Sequence, residues 1–233
     1  MQVRVRILGP IDIVGPHGPG QVPGRRRKTV LAALALAPGH VVGPDRLAEL
    51  VWGDTGAPKD PRNTIQQHIS YLRRILGEPT AIQAGPAGYL LRDAVPDGTT
   101  DAQVAERLVR EALDEQTPGR RAELAAQAAA LWRGPALADL ADLPLFRGQA
   151  WRLEQVRLRA RRLLVDSRLA QGMVELACQE AETLHREHPA DEGVSGLLML
   201  ALYRAGRPAE ALSVYGGPGG GCGRSSGSIR GPG

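Results

Sequence analysis

Asn63, Gln66, Gln67, Ser70 and Arg74 recur at intervals of three and four residues, the spacing that gathers side chains on one face of a helix. Their chemistry is that of reading base edges in duplex DNA. Arginine pairs with guanine through two parallel hydrogen bonds, and asparagine or glutamine does the same with adenine. The opposite side of the same segment is an apolar stripe of Ile65, Ile69, Leu72 and Leu76, so one side can bury while the other is offered to a groove. Tyr71 shares the polar arc, and Arg62 and Arg73 flank it. From Arg62 to Leu76 such a helix is about 22 Å long at roughly 1.5 Å per residue, enough to cross a major groove about 12 Å wide. Any amphipathic helix has a polar face, so the pattern also describes a solvated surface helix.

The elements that would position this segment favour the first reading. Asp60-Pro61 supplies an N-cap followed by proline at the first helical position, and Gly77 and Pro79 close the helix. Two shorter helices precede it. One starts at the basic run Arg25-Arg26-Arg27-Lys28, turns Val30, Leu31, Leu34 and Leu36 inward, and stops at Pro38-Gly39; the other runs from Pro44 to Trp52, with Leu47, Leu50 and Val51 inward and Gly53 as its stop. Val3–Leu8 and Ile11–Val14 predict two or three short strands at the start, and Ala81–Ala84 with Tyr89–Arg92 predict a hairpin around Gly85-Pro86-Ala87-Gly88. Together these describe a winged helix-turn-helix. The loop Gly53–Asp60 exceeds the roughly 3–4-residue turn of a simple helix-turn-helix, which points to the variant in which this loop protrudes.

Past Val95-Pro96-Asp97-Gly98 the strand signals end. Helices are expected at about 102–115, 119–133, 147–170, 174–188, 192–205 and 208–215, with Gly172 and Gly206 at turns 34 residues apart, the tetratricopeptide period. Trp132 and Trp151 are expected in the helical core, and Trp52 as a wedge at the end of its helix. The expected division is therefore 1–96 for the winged helix, 97–215 for an all-α tetratricopeptide-like domain, and 216–233 for a flexible tail with nine glycines in eighteen residues.

Charge divides along the same line. Met1 to Thr100 carries twelve Lys and Arg against eight Asp and Glu, a net +4, whereas Asp101 to Tyr215 carries a net −2. A polyanion is the natural partner of the first part. The longest apolar run, Val30–Ala37, is far short of the ~20 residues of a bilayer helix, and the start lacks a signal-peptide pattern, so a cytoplasmic protein is expected. Cys178 and Cys222 give neither a disulfide framework nor a zinc site, and Cys178 reads as a small core thiol. No phosphate loop or His-Glu-x-x-His helix is present, the Gly-x-Ser-x-Gly string at 223–227 lies in the glycine-rich tail without the strand and helix signals of an elbow, and His185 with His188 lacks a third ligand. No enzymatic activity, cofactor or metal is therefore expected.

Leu47-Ala48-Glu49-Leu50-Val51-Trp52-Gly53, the run Ile65–Gly77, and Ile82 with Gly88-Tyr89-Leu90-Leu91 resemble the OmpR/PhoB-type effector domain. The version they resemble is that of the Streptomyces antibiotic regulatory protein (AfsR-like) family. Ala129–Leu137, His188-Pro189 and Leu198–Arg207 resemble the bacterial transcriptional activator domain of the same family. The resemblance implies a mainly α chain, an N-terminal winged helix-turn-helix with a small β-sheet and wing hairpin followed by the tetratricopeptide-like domain. It also implies an activator of secondary-metabolite genes that binds direct repeats in double-stranded DNA near the promoter, as a homodimer on DNA, and recruits RNA polymerase. By position, Asn63, Gln66, Gln67, Ser70 and Arg74 would read bases, while Arg25, Arg26, Arg27, Lys28, Arg62, Arg73 and Arg92 would hold phosphates. Gly53, Asp54, Lys59 and Asp60 would belong to a polymerase-contacting loop. A small-molecule ligand is left open. The sequence departs from the family after Tyr215, where a charged helix normally follows. The competing class is a protein-binding adaptor that uses its tetratricopeptide-like domain and whose winged helix never touches DNA.

Overall fold

The computed structural model describes residues 5–15, 18–53, 56–93 and 99–215. Along the chain run β1 (Val5–Arg6), β2 (Asp12–Gly15), β3 (Gly18–Gln21), α1 (Arg25–Ala35), α2 (Pro44–Trp52), α3 (Pro61–Leu76), β4 (Ile82–Gly85) and β5 (Gly88–Leu91). There follow α4 (Asp101–Asp114), α5 (Pro118–Ala129), a 3-10 turn at Ala138–Leu140, α6 (Pro144–Ala170), α7 (Val174–Glu187), α8 (Glu192–Arg204) and α9 (Pro208–Tyr215). The protein is mainly helical, with a winged helix-turn-helix at its N-terminal end.

The first three strands form an antiparallel sheet in which Ile13 lies opposite Val5 on one side and Gly20 on the other. The wing is the β4–β5 hairpin, pairing Ile82 with Leu91 and Gly85 with Gly88. The third strand lies inside the Gly/Pro-rich stretch, where pairing to β2 overrides poor strand propensity. The expected helices fall within a few residues of the observed ones. The largest difference is α5, which ends at Ala129 instead of Arg133 because the chain turns there toward Gly134-Pro135.

The chain divides into two compact units, one through Leu163 and one from Leu164. The 96/97 boundary read from sequence lies among residues outside the described ones, as do Asp54, Cys222 and the tail 216–233. In the first unit one core cluster joins Val5, Ile7, Leu8, Leu31, Leu34, Leu47, Ile65, Ile69 and Leu72 to Trp132, Leu137, Leu140, Phe146 and Leu153, and a second gathers Val104, Leu108, Val109, Ala112, Leu124, Ala128 and Ala160. Backbone bonds explain the union. Arg133 donates its N–H to the Leu8 carbonyl at 2.9 Å and Leu137 donates to that of Ile7 at 2.8 Å, while Ile11 donates to the Asp139 carboxylate at 2.6 Å. Residues 133–139 are thus bonded to the loop between β1 and β2.

In the second unit α7, α8 and α9 bury Ala177, Cys178, Ala181, Leu184, Val194, Leu198, Ala201 and Leu202, with turns at Gly172 and Gly206. Cys178 is the small core thiol expected. Trp132 is buried and Trp52 is 3% exposed, but Trp151 is 66% exposed and does not pack in the core. It stands on an outer ridge of α6 with Arg147, Gln155 and Arg159, all exposed. Periodicity alone misplaced it, because α6 is rich in large side chains on several faces.

Candidate nucleic-acid interface

α3 owes its position to its two ends and its apolar side. Asp60 caps it by accepting the Asn63 backbone N–H at 3.0 Å. Pro61 occupies the first turn, and Gly77 ends the helix in the left-handed conformation. Ile65, Ile69, Leu72 and Leu76 are at most 1% exposed. Fully burying four such side chains contributes on the order of 6–12 kcal/mol, which fixes the rotation of the helix and leaves its other side to solvent. Asn63, Gln66, Gln67, Ser70 and Arg74 are all exposed on that side.

These five side chains line one shallow groove of about 530 Å³, together with Arg27 from α1 and Tyr71. The structure therefore brings the five residues expected to read bases into one surface and adds a cation from a neighbouring helix. The Ser70 hydroxyl is engaged within the helix, donating to the Gln66 carbonyl at 2.9 Å; its oxygen can still accept.

The basic residues assigned to phosphates fall into two groups. Arg26 lies over the Trp52 ring at 5.9 Å and Arg27 over the Tyr71 ring at 3.9 Å, both on the side of α1 that faces α2 and α3. The other five are committed within the protein. Arg25 pairs with Asp142, and Lys28 with Asp139 at 2.5 Å. Arg62 grips Asp45 through two bonds of 2.9 and 3.1 Å. Arg73 donates to the Ile82 carbonyl at 2.8 Å, and Arg92 pairs with Glu78. Arg73 thereby ties α3 to the wing. The Arg62–Asp45 pair lies at the surface, where such a pair is weak, so Arg62 can be surrendered to a phosphate. The Arg62 guanidinium holds the Asp45 carboxyl below its ordinary range.

Within the loop between α2 and α3, Gly53, Lys59 and Asp60 are exposed, and the Asp60 carboxylate is occupied as the α3 cap.

Two groups escaped the sequence reading. Tyr71 was visible on the polar arc but had no assigned part. His68, half-buried beside the apolar stripe, is held below its ordinary pKa first by burial and then by the charges of Arg27 and Arg26. Among the described residues no group of three or more His, Cys, Asp or Glu could hold a metal ion.

The same two segments are matched by known families. Residues 24–91 match the model described as transcriptional regulatory protein, C terminal, and residues 100–217 that of the bacterial transcriptional activator domain. The transcriptional regulator RedD of Streptomyces coelicolor is 32% identical over 222 residues, which cover 91% of this chain and 63% of that protein. The regulatory protein DnrI of Streptomyces peucetius is 32% identical over 236 residues, covering 91% of this chain and 82% of that one. The chain belongs to the Streptomyces antibiotic regulatory protein family. Among solved structures, Mycobacterium tuberculosis EmbR in complex with a low affinity phosphopeptide is similar with a TM-score of 0.82 and 27% identity, over 92% of this chain and 58% of that one. For RedD and EmbR the chain spans less than two thirds of the relative's own length. In this member of the family, α3 with its exposed amide and guanidinium side falls inside the first matched segment, and α4 to α9 fall inside the second.

Proposed function

We propose that this chain is a sequence-specific DNA-binding activator of transcription, acting on an antibiotic biosynthetic gene cluster. The observation that carries the reading is the open groove of α3, where five side chains capable of reading base edges converge with Arg27 and none is covered. Asn63, Gln66, Gln67, Ser70 and Arg74 take base edges in the major groove. Arg26 and Arg27 take phosphates from α1, and Arg62, Arg73 and Arg92 flank them. Arg25 and Lys28 join only if Asp142 and Asp139 release them.

In this reading 1–96 is the DNA-binding domain and 97–215 the activating domain, with the glycine-rich 216–233 beyond both. The chain binds direct repeats as a homodimer on DNA, and the loop of Gly53, Asp54, Lys59 and Asp60 contacts RNA polymerase in the cytoplasm. No helix among the described residues is long and apolar enough to cross a membrane.

Footprinting the full chain on the promoters around its own gene tests the proposal. The expected result is protection of two repeated sites of equal orientation, with affinity falling linearly on a log–log plot against salt by about 0.9 for each phosphate neutralised. An absence of protection, together with no salt-dependent retention on random duplex DNA, would leave the adaptor reading instead.

A further inference from the structure

We propose that Tyr71 is the positioning residue of this interface: its ring holds the guanidinium groups of Arg27 and Arg74 as one ordered pair, Arg27 set for a phosphate and Arg74 for the edge of a neighbouring base. The inference rests on the DNA-binding reading and gives it an internal device.

The contrast among the basic residues of the winged helix leads to it. Arg25, Lys28, Arg62 and Arg92 are each neutralised by a carboxylate, and Arg73 is spent on a backbone carbonyl. Among the described residues Arg27 and Arg74 have neither. Arg27 sits 3.9 Å and Arg74 5.0 Å from the centre of the same Tyr71 ring, and all three line the groove with Asn63, Gln66 and Gln67. The Nε of Arg27 is buried without a hydrogen-bond partner among the described residues. An aromatic face attracts a cation without cancelling its charge, so these two guanidinium groups keep their charge for an anion while giving up much of their freedom.

That matters because of what arginine otherwise gives up on binding. A free arginine must freeze several side-chain torsions when it docks on a base edge, and an arginine already laid along a ring has them restricted beforehand. The ring also lies against two like charges that would otherwise move apart. Tyr71 comes from α3, three residues before Arg74, and it reaches Arg27 on α1. The register of the base-reading arginine is thereby linked to the helix that supplies the phosphate-binding cation.

The test uses the full chain and the duplex it selects from a random-sequence pool, beside a scrambled duplex. Tyr71→Phe keeps the ring and is expected to bind within twofold of the parent. Tyr71→Leu removes the ring and is expected to weaken binding to the selected duplex about two- to fivefold for each arginine released from it, with preference relaxed at the same base position that Arg74→Ala relaxes. The double variant Tyr71→Leu/Arg74→Ala should weaken binding by less than the product of the two single effects. In the DNA-free protein, the arginine side-chain proton resonances shifted by the ring should return to their ordinary positions in Tyr71→Leu and keep their shift in Tyr71→Phe. Unchanged affinity in Tyr71→Leu, or single effects that simply multiply, would overturn the positioning role while leaving DNA binding intact. An Arg74→Ala variant that binds both duplexes like the parent would instead remove the base-reading assignment, and this inference with it.

Discussion

The carboxylate of Asp101 accepts the backbone N–H of Ile7 at 2.8 Å, across 94 positions of sequence. Its other oxygen takes the N–H of Leu8 at 3.0 Å and lies 3.7 Å from Arg133. The first residue of α4 thus satisfies two donors of the loop that follows β1, which no strand partner serves. This junction makes the N-terminal sheet and the α4 region one body, so the interface on α3 stands on a foundation that extends past residue 100.

Asp101 should leave a mark on the pH dependence of stability. Burial raises its pKa from the 3.8 of an ordinary aspartate to about 6, against the opposing pull of the two N–H bonds and Arg133. The folded chain therefore keeps this proton to higher pH than the unfolded chain. Its contribution favours the fold below about pH 4 and is lost as pH rises through about 6, by up to about 3 kcal/mol. Urea unfolding from pH 4 to 7 should show that slope in the parent, and Asp101→Asn should flatten it. An identical slope in both would assign it to other groups. Asp101→Ala, which orphans two buried donors, should cost about 2–6 kcal/mol.

Base-reading and phosphate-binding residues should separate under mutation. Arg74→Ala is expected to lower discrimination at one base position by about 1–3 kcal/mol, with little effect on a scrambled duplex. Arg26→Ala/Arg27→Ala is expected to weaken both duplexes alike and to reduce the salt slope by roughly two. Titrations across salt distinguish the two; equal weakening on both duplexes for both variants would defeat the assignment.

If Arg25 takes a phosphate, as proposed, Asp142 competes with DNA for it. Their ion pair is exposed, and the Arg25 hydrogen bond holds the Asp142 carboxyl below its ordinary range. Asp142→Asn should free a cation at the start of α1 and steepen the salt slope by about 0.9, the release expected for one more neutralised phosphate. No change in slope would mean that Arg25 never reaches the duplex.

The wing depends on Gly88. Its φ is +142°, and a Cβ placed there would come within 2.3 Å of the Val42 carbonyl oxygen, which accepts the Tyr89 N–H at 3.0 Å. Gly88→Ala should break the link between β5 and the segment before α2 and cost at least about 1–3 kcal/mol from the strained backbone alone. Thermal unfolding measures it, and an unchanged midpoint would show that the hairpin shifts freely.

Much of α3 was legible in the sequence, because a cap, a proline, an apolar period and a closing glycine are all local signals. Asp60, the stripe from Ile65 to Leu76 and the exposed set from Asn63 to Arg74 lie where that pattern puts them. Trp151 was not legible. Whether one tryptophan on a long helix is covered depends on which other helices arrive, and no period within α6 contains that.

Sequence by itself thus determined α3, its polar side and the order of elements, since each follows from residues a few positions apart. Only the tertiary structure decided which cations remain available. Arg25 and Lys28 are taken by Asp142 and Asp139, more than 110 positions away, while Arg27 is laid on Tyr71. Charge neutralisation depends on distance in space, and a linear pattern carries none.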